Sequence, residues 1–163
     1  MHFLIIGGDA AGMSAASRAK RLQPDLDVTV LEKTADVSYS ACGMPYNIAD
    51  PDRSIEDLVV RRAEVFREKQ GINLLTGIEA TAIEPETGTV STRDGEGQTR
   101  SFDYDQLLIA TGATPIKPDI PGIDLPGVMA LKNLAHGRPI KQFIDQCNVP
   151  KTVIIGMCYR YLV

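Results

Sequence analysis

The stretch Phe3-Leu4-Ile5-Ile6-Gly7-Gly8-Asp9-Ala10-Ala11-Gly12 decides the fold, because an apolar run ending in paired glycines reads as a buried parallel strand entering a tight turn. A helix is expected from Gly12 to Leu22, where small residues allow close approach to a sheet and Pro24 marks the stop. Asp27 to Leu31 reads as a second strand, so Met1 to Lys33 make one βαβ unit. Its turn is a variant of the glycine-rich dinucleotide fingerprint in which Gly7 and Gly12 hold the first and last positions and Asp9 stands where the middle glycine is usual. A glycine there lets backbone approach a pyrophosphate, whereas an acidic side chain repels phosphate unless it points away. The helix N–H groups can receive phosphate. Glu32, 20 residues after Gly12 (32 minus 12), can accept hydrogen bonds from both ribose hydroxyls and would repel a 2′-phosphate, which disfavours NADP at this site. A glycine turn with an unrelated surface glutamate is the competing reading.

Ser38 to Asp50 mixes Gly, Pro, Ser and Asn with Cys42 and two tyrosines, the composition of a functional loop. A charged helix is expected over Ile55 to Lys69 with Gly71 as its stop, followed by a third parallel strand over Ile72 to Leu75. Alternating segments at Ile78 to Glu84, Thr89 to Thr92 and Gln98 to Tyr104, separated by Pro85-Glu86-Thr87-Gly88 and Asp94-Gly95, predict a small antiparallel meander that adds little to the main core. Gln106 to Ala110 is a further buried strand ending in Thr111-Gly112, and Pro115 to Pro126 an exposed connection. Pro139 to Cys147 reads as a helix, Lys151 to Ile155 as a strand and Gly156 as a turn, the opening of a second βαβ unit.

With 163 residues, 44% of them hydrophobic, the chain has enough apolar mass for one globular core. A net charge of -4 with dispersed basic residues excludes a nucleic-acid or anionic-membrane footprint. No apolar run reaches the length of about 18 residues that a membrane helix needs, and the first strand leaves no room for a signal peptide, so a cytoplasmic protein is expected. Cys42, Cys147 and Cys158 lack disulfide-framework or metal-ligand spacing, so free thiols and no metal are expected, with Cys147 an ordinary partly buried thiol. His2 and His136 belong to no constellation.

Three segments carry a family resemblance: Ile5 to Ala16, Val37-Ser38-Tyr39-Ser40-Ala41-Cys42-Gly43-Met44-Pro45-Tyr46, and Tyr104 to Ala113. In motif, order and spacing the chain resembles the pyridine nucleotide-disulfide oxidoreductases, in particular the single-cysteine branch of CoA-disulfide reductases, NADH oxidases and peroxidases, and polysulfide reductases. The resemblance implies an α/β, Rossmann-like, three-layer FAD-binding fold with a small antiparallel meander. It places Gly7, Ala10, Ala11 and Gly12 around the FAD pyrophosphate, Glu32 on the adenosine ribose with Lys33 next to it in sequence, the backbone of Ala80 near adenine, and Ala110, Thr111 and Gly112 against the cofactor. The family's redox cysteine maps onto Cys42 and the serine of its Ser-x-x-x-Cys pattern onto Ser38. The thiolate is the reactive form, which a helix N-terminus and a flavin neighbour would favour. The dithiol branch carries a second cysteine at position 45 or 47, where this chain has Pro45 and Asn47, so Cys42 would cycle through a mixed disulfide or a sulfenic acid. Arg18, Lys20 and Arg21 lie near the CoA phosphate site of the relatives, although a solvated helical face explains the same residues equally well.

The resemblance covers about the first third of the family plan, so the chain divides into a first FAD-domain segment, 1–114, and a linker with the truncated start of an NAD(P)H domain, 115–163. Cys158 and Tyr161 stand where the family's second and third turn glycines belong, so NAD(P)H binding by this chain alone is not expected, and the divergent last seven residues read as a frameshift or premature stop. Sheet strands of the full plan are absent, leaving a face exposed. The expected activity is an FAD-dependent NAD(P)H oxidoreductase reducing a small disulfide, polysulfide, peroxide or oxygen, with homodimers in the full-length family. A non-catalytic nucleotide-binding module and an inactive remnant are the alternatives.

Overall fold

The computed structural model describes residues 1–147 and 151–156. β1 (His2–Ile6) pairs in parallel with β2 (Asp27–Glu32), from His2 opposite Asp27 to Ile6 opposite Leu31. β2 also pairs with β3 (Asn73–Thr76), and β1 with β7 (Gln106–Ile109), which gives a four-stranded parallel sheet in the order β3-β2-β1-β7. Helix α1 (Ala10–Leu22) makes the crossover between β1 and β2 and starts two residues before the expected Gly12.

Alternation along the strands sorts two cores. Ile5, Val28, Val30 and Leu74 face α1 and α3 (Ala63–Gln70), meeting Met13, Ala16 and Phe66. Leu4, Ile6 and Leu31 face the opposite way, onto the antiparallel sheet of β4 (Ile78–Glu84), β5 (Thr89–Asp94) and β6 (Thr99–Asp103). The molecule thus has the expected three layers: helices, parallel sheet and meander. The meander's expected weight was wrong. Val90 is fully buried among Leu4, Ile6 and Leu31, with Ile78, Ile83, Phe102, Tyr104 and Leu107 packed around them, because a parallel sheet needs both faces covered.

Three further expectations are corrected. The helix over Ile55 to Lys69 is divided into one 3-10 turn, Ile55–Leu58, and α3. Between them Val59 bridges Tyr39 in antiparallel fashion and Val60 N–H donates to Ser38 O (2.9 Å), so these β-branched residues pair with a distant loop instead of coiling. Gly71 does end α3, in the left-handed conformation at φ 61°. The last helix, α4 (Leu134–Cys147), starts five residues before Pro139, which sits inside it. Its start is capped by Asn133, whose Oδ1 accepts the N–H of His136 at 3.0 Å.

Lys151 to Ile155 form no strand: Val153, Ile154 and Ile155 are 86%, 83% and 76% exposed, and no strand among the described residues lies beside them. A strand exists by pairing, and an apolar run without a partner stays unpaired. Gly156 has the positive φ of a turn (89°). The divergent segment with Cys158 and Tyr161 lies outside the described residues.

His2, without an expected role, joins the layers at the N-terminal ends of the strands. Its Nδ1 lies 2.6 Å from Asp103 O and its Nε2 2.8 Å from the buried Thr29 hydroxyl, which Asn73 also reaches at 3.2 Å.

If the meander is half of the core, Val90→Ala will lower the stability of the whole domain by about 2 kcal/mol. The thermal midpoint should then fall by several degrees in one transition. An unchanged midpoint, or loss confined to a separate early transition, would mean that the meander is an appendage.

Candidate functional site

The turn after β1 is held by backbone contact so close that side chains do not fit. Gly7 has φ 113°, and a Cβ on it would lie 2.2 Å from Ala110 O; a Cβ on Gly12 would lie 1.8 Å from Gly7 O. The N–H of Gly7 donates to Leu31 O (2.8 Å) and that of Ala110 to Ile6 O (2.7 Å), so the ends of β1, β2 and β7 meet at one point. Asp9 is the residue before α1, and its side chain makes no capping hydrogen bond; the first intrahelical donor is Met13 N–H, onto Asp9 O (2.9 Å). Exposed Ala10 and Ala11 therefore begin a helix whose amide end is open to an anion.

Glu32 closes one side of this cradle in a way the sequence did not disclose. Its Oε2 accepts Gly8 N–H at 2.6 Å, and its Oε1 accepts the N–H and hydroxyl of Thr34 at 2.7 and 2.8 Å. The carboxylate is fixed by three donors of the chain itself, leaving about one of its roughly four acceptor positions for a ligand. Lys33 points outward to pair with Glu79 at 2.7 Å. Glu79 is next to Ala80, whose side chain packs into the meander core and whose register with β5 is followed by a bulge.

The loop carrying Cys42 lies against the turn. Ser38 is the one non-glycine residue, among those described, with positive φ (48°), a conformation of the kind that persists where surrounding structure enforces it. Its N–H donates to Gly8 O (3.1 Å), its carbonyl accepts the N–H of Val60 and Arg61, and Ser40 N–H donates to Leu58 O (2.8 Å). Tyr39 N–H reaches Asp9 Oδ1 at 3.4 Å. Burial, then the charges of Asp9, Glu32 and Asp36, push the Tyr39 phenol up to about 12, so it stays neutral. Cys42 follows in a single 3-10 turn, Ala41–Gly43, with its thiol exposed, and α2 (Met44–Ala49) begins two residues later.

Asn47, at one of the two positions where the dithiol branch carries its second cysteine, is buried and structural. Its Nδ2 donates to Ser54 O (2.7 Å), and its carbonyl accepts Lys141 Nζ (2.7 Å), which also reaches Asp50 O (2.6 Å). Lys141 belongs to α4, and one turn earlier Arg138 makes a bidentate pair with Asp36, both contacts 2.7 Å, and a second pair with Glu56 at 2.7 and 3.1 Å. Leu134 and Gly137 pack onto Met44 and Ile55 below. α4 is thereby clamped across the cysteine loop, a feature that only Arg138 and Lys141 on one helical face could have hinted at.

The structure therefore brings Gly7, Gly12, Glu32, Ser38 and Ala110 together, with Thr111 and Gly112 exposed beside them. Arg18 and Arg21 stand exposed on α1, while Lys20 turns back to donate to the carbonyls of Pro24 and Leu26, closing the helix end. Cys147 is exposed, not partly buried as expected, because it ends α4 on the solvent side. Among the described residues no cluster of His, Cys, Asp and Glu could hold a metal ion, and no helix is long and apolar enough to cross a membrane.

The sequence profile of the pyridine nucleotide-disulphide oxidoreductases matches residues 1–159. A "NAD(P)H sulfur oxidoreductase (CoA-dependent)" of Pyrococcus furiosus is 44% identical over 156 residues, 96% of this chain and 34% of that protein. A "Coenzyme A disulfide reductase" of Staphylococcus haemolyticus is 31% identical over 157 residues, 96% of this chain and 35% of the relative. The solved structure of an NAD-dependent persulfide reductase from A. fulgidus superposes with TM-score 0.83 at 35% identity, over 90% of this chain and 27% of that one. The chain thus spans about a third of the length of the curated relatives it matches.

Two measurements check this geometry. Glu32→Ala strips the acceptors from the Gly8 and Thr34 N–H groups and should cost about 1–3 kcal/mol in urea unfolding before any ligand is added. An unchanged urea midpoint would show that these bonds have no net weight. The Arg138 guanidinium holds the Glu56 carboxyl below the usual carboxylate range, with its hydrogen bonds the largest cause. That contribution is complete above the ordinary glutamate pKa of about 4.3 and lost as the pH falls through the lowered value. Hydrogen-exchange protection of α4, corrected for intrinsic rates, should fall in acid for the parent, and be low and no longer tied to Glu56 in Arg138→Met. Equal protection in both proteins would rule out the clamp.

Proposed function

The chain belongs to the pyridine nucleotide-disulphide oxidoreductase family, and from that premise we propose that it is the FAD-binding segment of an NAD(P)H-dependent reductase that passes electrons through Cys42 to a small disulfide, polysulfide, peroxide or oxygen. The observation that carries this reading is that Gly8 is held from both sides, by Glu32 on its N–H and by Ser38 on its carbonyl, so cradle and cysteine loop form one unit. The residues present fit the cofactor: backbone fills the space at Gly7 and Gly12 that a Cβ would need, and the amide end of α1 is open.

In this reading the first-turn amides at Ala10, Ala11 and Gly12 hold the pyrophosphate, Glu32 orients the ribose through its remaining acceptor position, and Ala110, Thr111 and Gly112 border the cofactor. Bound FAD would supply the two-electron relay between NAD(P)H and the thiol. Cys42 attacks one sulfur of a disulfide as thiolate, and the partner sulfur leaves as a thiolate, so the exposed thiol is open to a small substrate. With Asn47 and Pro45 beside it no internal disulfide forms, and a mixed disulfide or a sulfenic acid is the oxidised state. Ser38 positions this loop through its backbone, and Ala80 borders the adenine end.

Arg18 and Arg21, both exposed on α1, would meet the phosphates of a CoA-like substrate. The unpaired thiols of Cys42 and Cys147 suit a reducing, cytoplasmic setting. We divide the chain into a first FAD-domain segment, 1–114, and a connecting segment, 115–163, with NAD(P)H binding and homodimer formation belonging to the full-length plan. A second reading, a non-catalytic nucleotide-binding module or an inactive remnant, is favoured by Lys151 to Ile155, which stand exposed instead of forming the strand that opens an NAD(P)H unit.

Alkylation read by mass spectrometry distinguishes these. Saturating FAD should slow labelling of Cys42 several-fold and leave Cys147, at the far end of α4, unaffected. Labelling of Cys42 at the same rate with and without FAD, while FAD binds, would favour the non-catalytic module.

A further inference from the structure

Asp9 places a carboxylate at the glycine turn between β1 and α1, where the pyrophosphate of the proposed cofactor would enter. It occupies the turn between Gly8 and the open amide end of α1, half-buried, and its Oδ1 accepts Tyr39 N–H from the cysteine loop at 3.4 Å. The side chain is thereby turned into the crevice between cradle and loop rather than out to solvent. The charged groups around it come from every neighbouring element. The charge of Glu32 on β2 raises its carboxyl and that of Lys132, from the segment before α4, lowers it, while the Tyr39 phenol, under the charges of Asp9, Glu32 and Asp36, stays neutral. Among the described residues no cation forms an ion pair with Asp9, and Arg138 is engaged by Asp36 and Glu56. Burial, with Glu32 adding to it, already raises the Asp9 carboxyl above its ordinary value, against the pull of the Tyr39 and Ala10 amides and of Lys132.

A pyrophosphate diester brings negative charge that does not titrate in the neutral range, into a site where Asp9 and Glu32 already supply two carboxylates. Like charges within about 4–6 Å disfavour the ionised form of the group that can take a proton, most strongly where solvent is excluded. A protonated carboxyl also changes from an acceptor into a donor, suited to a phosphate oxygen. We infer that Asp9 is a proton-linked determinant of dinucleotide affinity: the pyrophosphate enters the turn together with a proton taken up by Asp9. This inference rests on the FAD reading above and extends it to the control of affinity. The sign is fixed by linkage. The complex holds more protons than the free chain, so affinity rises as the pH falls between the bound and free values of Asp9, by about tenfold for each unit by which binding raises that value.

The test is FAD titration by calorimetry at about pH 5.5 and pH 8, in two buffers of different ionisation enthalpy, on the parent, Asp9→Asn, Asp9→Gly and Glu32→Gln. FAD is the probe because its phosphates are diesters and do not themselves titrate there. The parent should take up part of a proton, about half of one where the uptake is greatest, and bind about tenfold more weakly at the higher pH. Asp9→Asn and Asp9→Gly, both good residues before a helix, should take up none and bind more tightly than the parent at pH 8, whereas Glu32→Gln should retain the uptake. FAD binding by the parent without proton uptake, or the same uptake in Asp9→Asn, overturns the role of Asp9 and leaves the FAD reading standing. Absence of FAD binding by the parent and both Asp9 variants overturns the FAD reading and this inference with it.

Discussion

The structure depends on how closely three backbone segments approach at the end of β1. With Gly7 against Ala110 O and Gly12 against Gly7 O, no Cβ fits at either position, and the N–H groups of Gly7 and Ala110 tie the ends of β2 and β7 to the same point. That crowding sets the angle at which α1 leaves the sheet. It also leaves the amide end of α1 at the C-terminal edge of the parallel strands, where open α/β sheets take their ligands. A residue larger than glycine at Gly7 would push the sheet apart before it reached any cofactor.

Around that point the molecule is stiffened by polar contacts that span long stretches of chain. Glu32 ties the turn to its own β-strand end, Ser38 ties it to the cysteine loop, and Arg138 and Lys141 reach the same loop from α4. The Arg138 to Asp36 pair joins positions 102 residues apart. Asp36 is only 14% exposed at its side chain, so its charge is held by the bidentate guanidinium rather than by water. The strained backbone at Ser38 is maintained by this frame, with Gly8 on one side and Val60 and Arg61 on the other. The exposed Cys42, in a glycine-containing loop, gains a defined place through such supports.

The two faces of the sheet divide the labour. The helical face uses small residues, Gly12, Ala16 and Ser17, to bring α1 down onto β1 and β2, while Phe66 of α3 fills the space beyond. The other face is closed by the meander, whose Val90 and neighbours complete a core that the four parallel strands cannot close alone. Glu79 and Ala80 lie on the strand that leads from β3 into this layer, so the strand that pairs with Lys33 also contributes to the second core.

Local chemistry was legible from the residues. The apolar run of β1, the glycines of the turn, the stop at Gly71 and the turn residues between the meander strands all act within a few positions, and β1 and the three meander strands appear where their patterns predict, within two residues. The cradle was legible for the same reason, since its glycines and Glu32 stand at a spacing that a βαβ unit imposes. What tertiary structure alone decided depends on partners far away in the chain. Val59 and Val60 abandon a helix because Ser38 and Tyr39 offer them pairing, and α4 extends back to Leu134 because Asn133 caps it and Met44 and Ile55 receive its apolar face. Lys151 to Ile155 have every local mark of a strand and form none, since strand pairing needs a neighbour that no local pattern can supply. The acceptor capacity of Glu32 and the direction of Asp9 belong to the same class, because which donors a carboxylate meets is settled by the packing of loops rather than by the residues beside it.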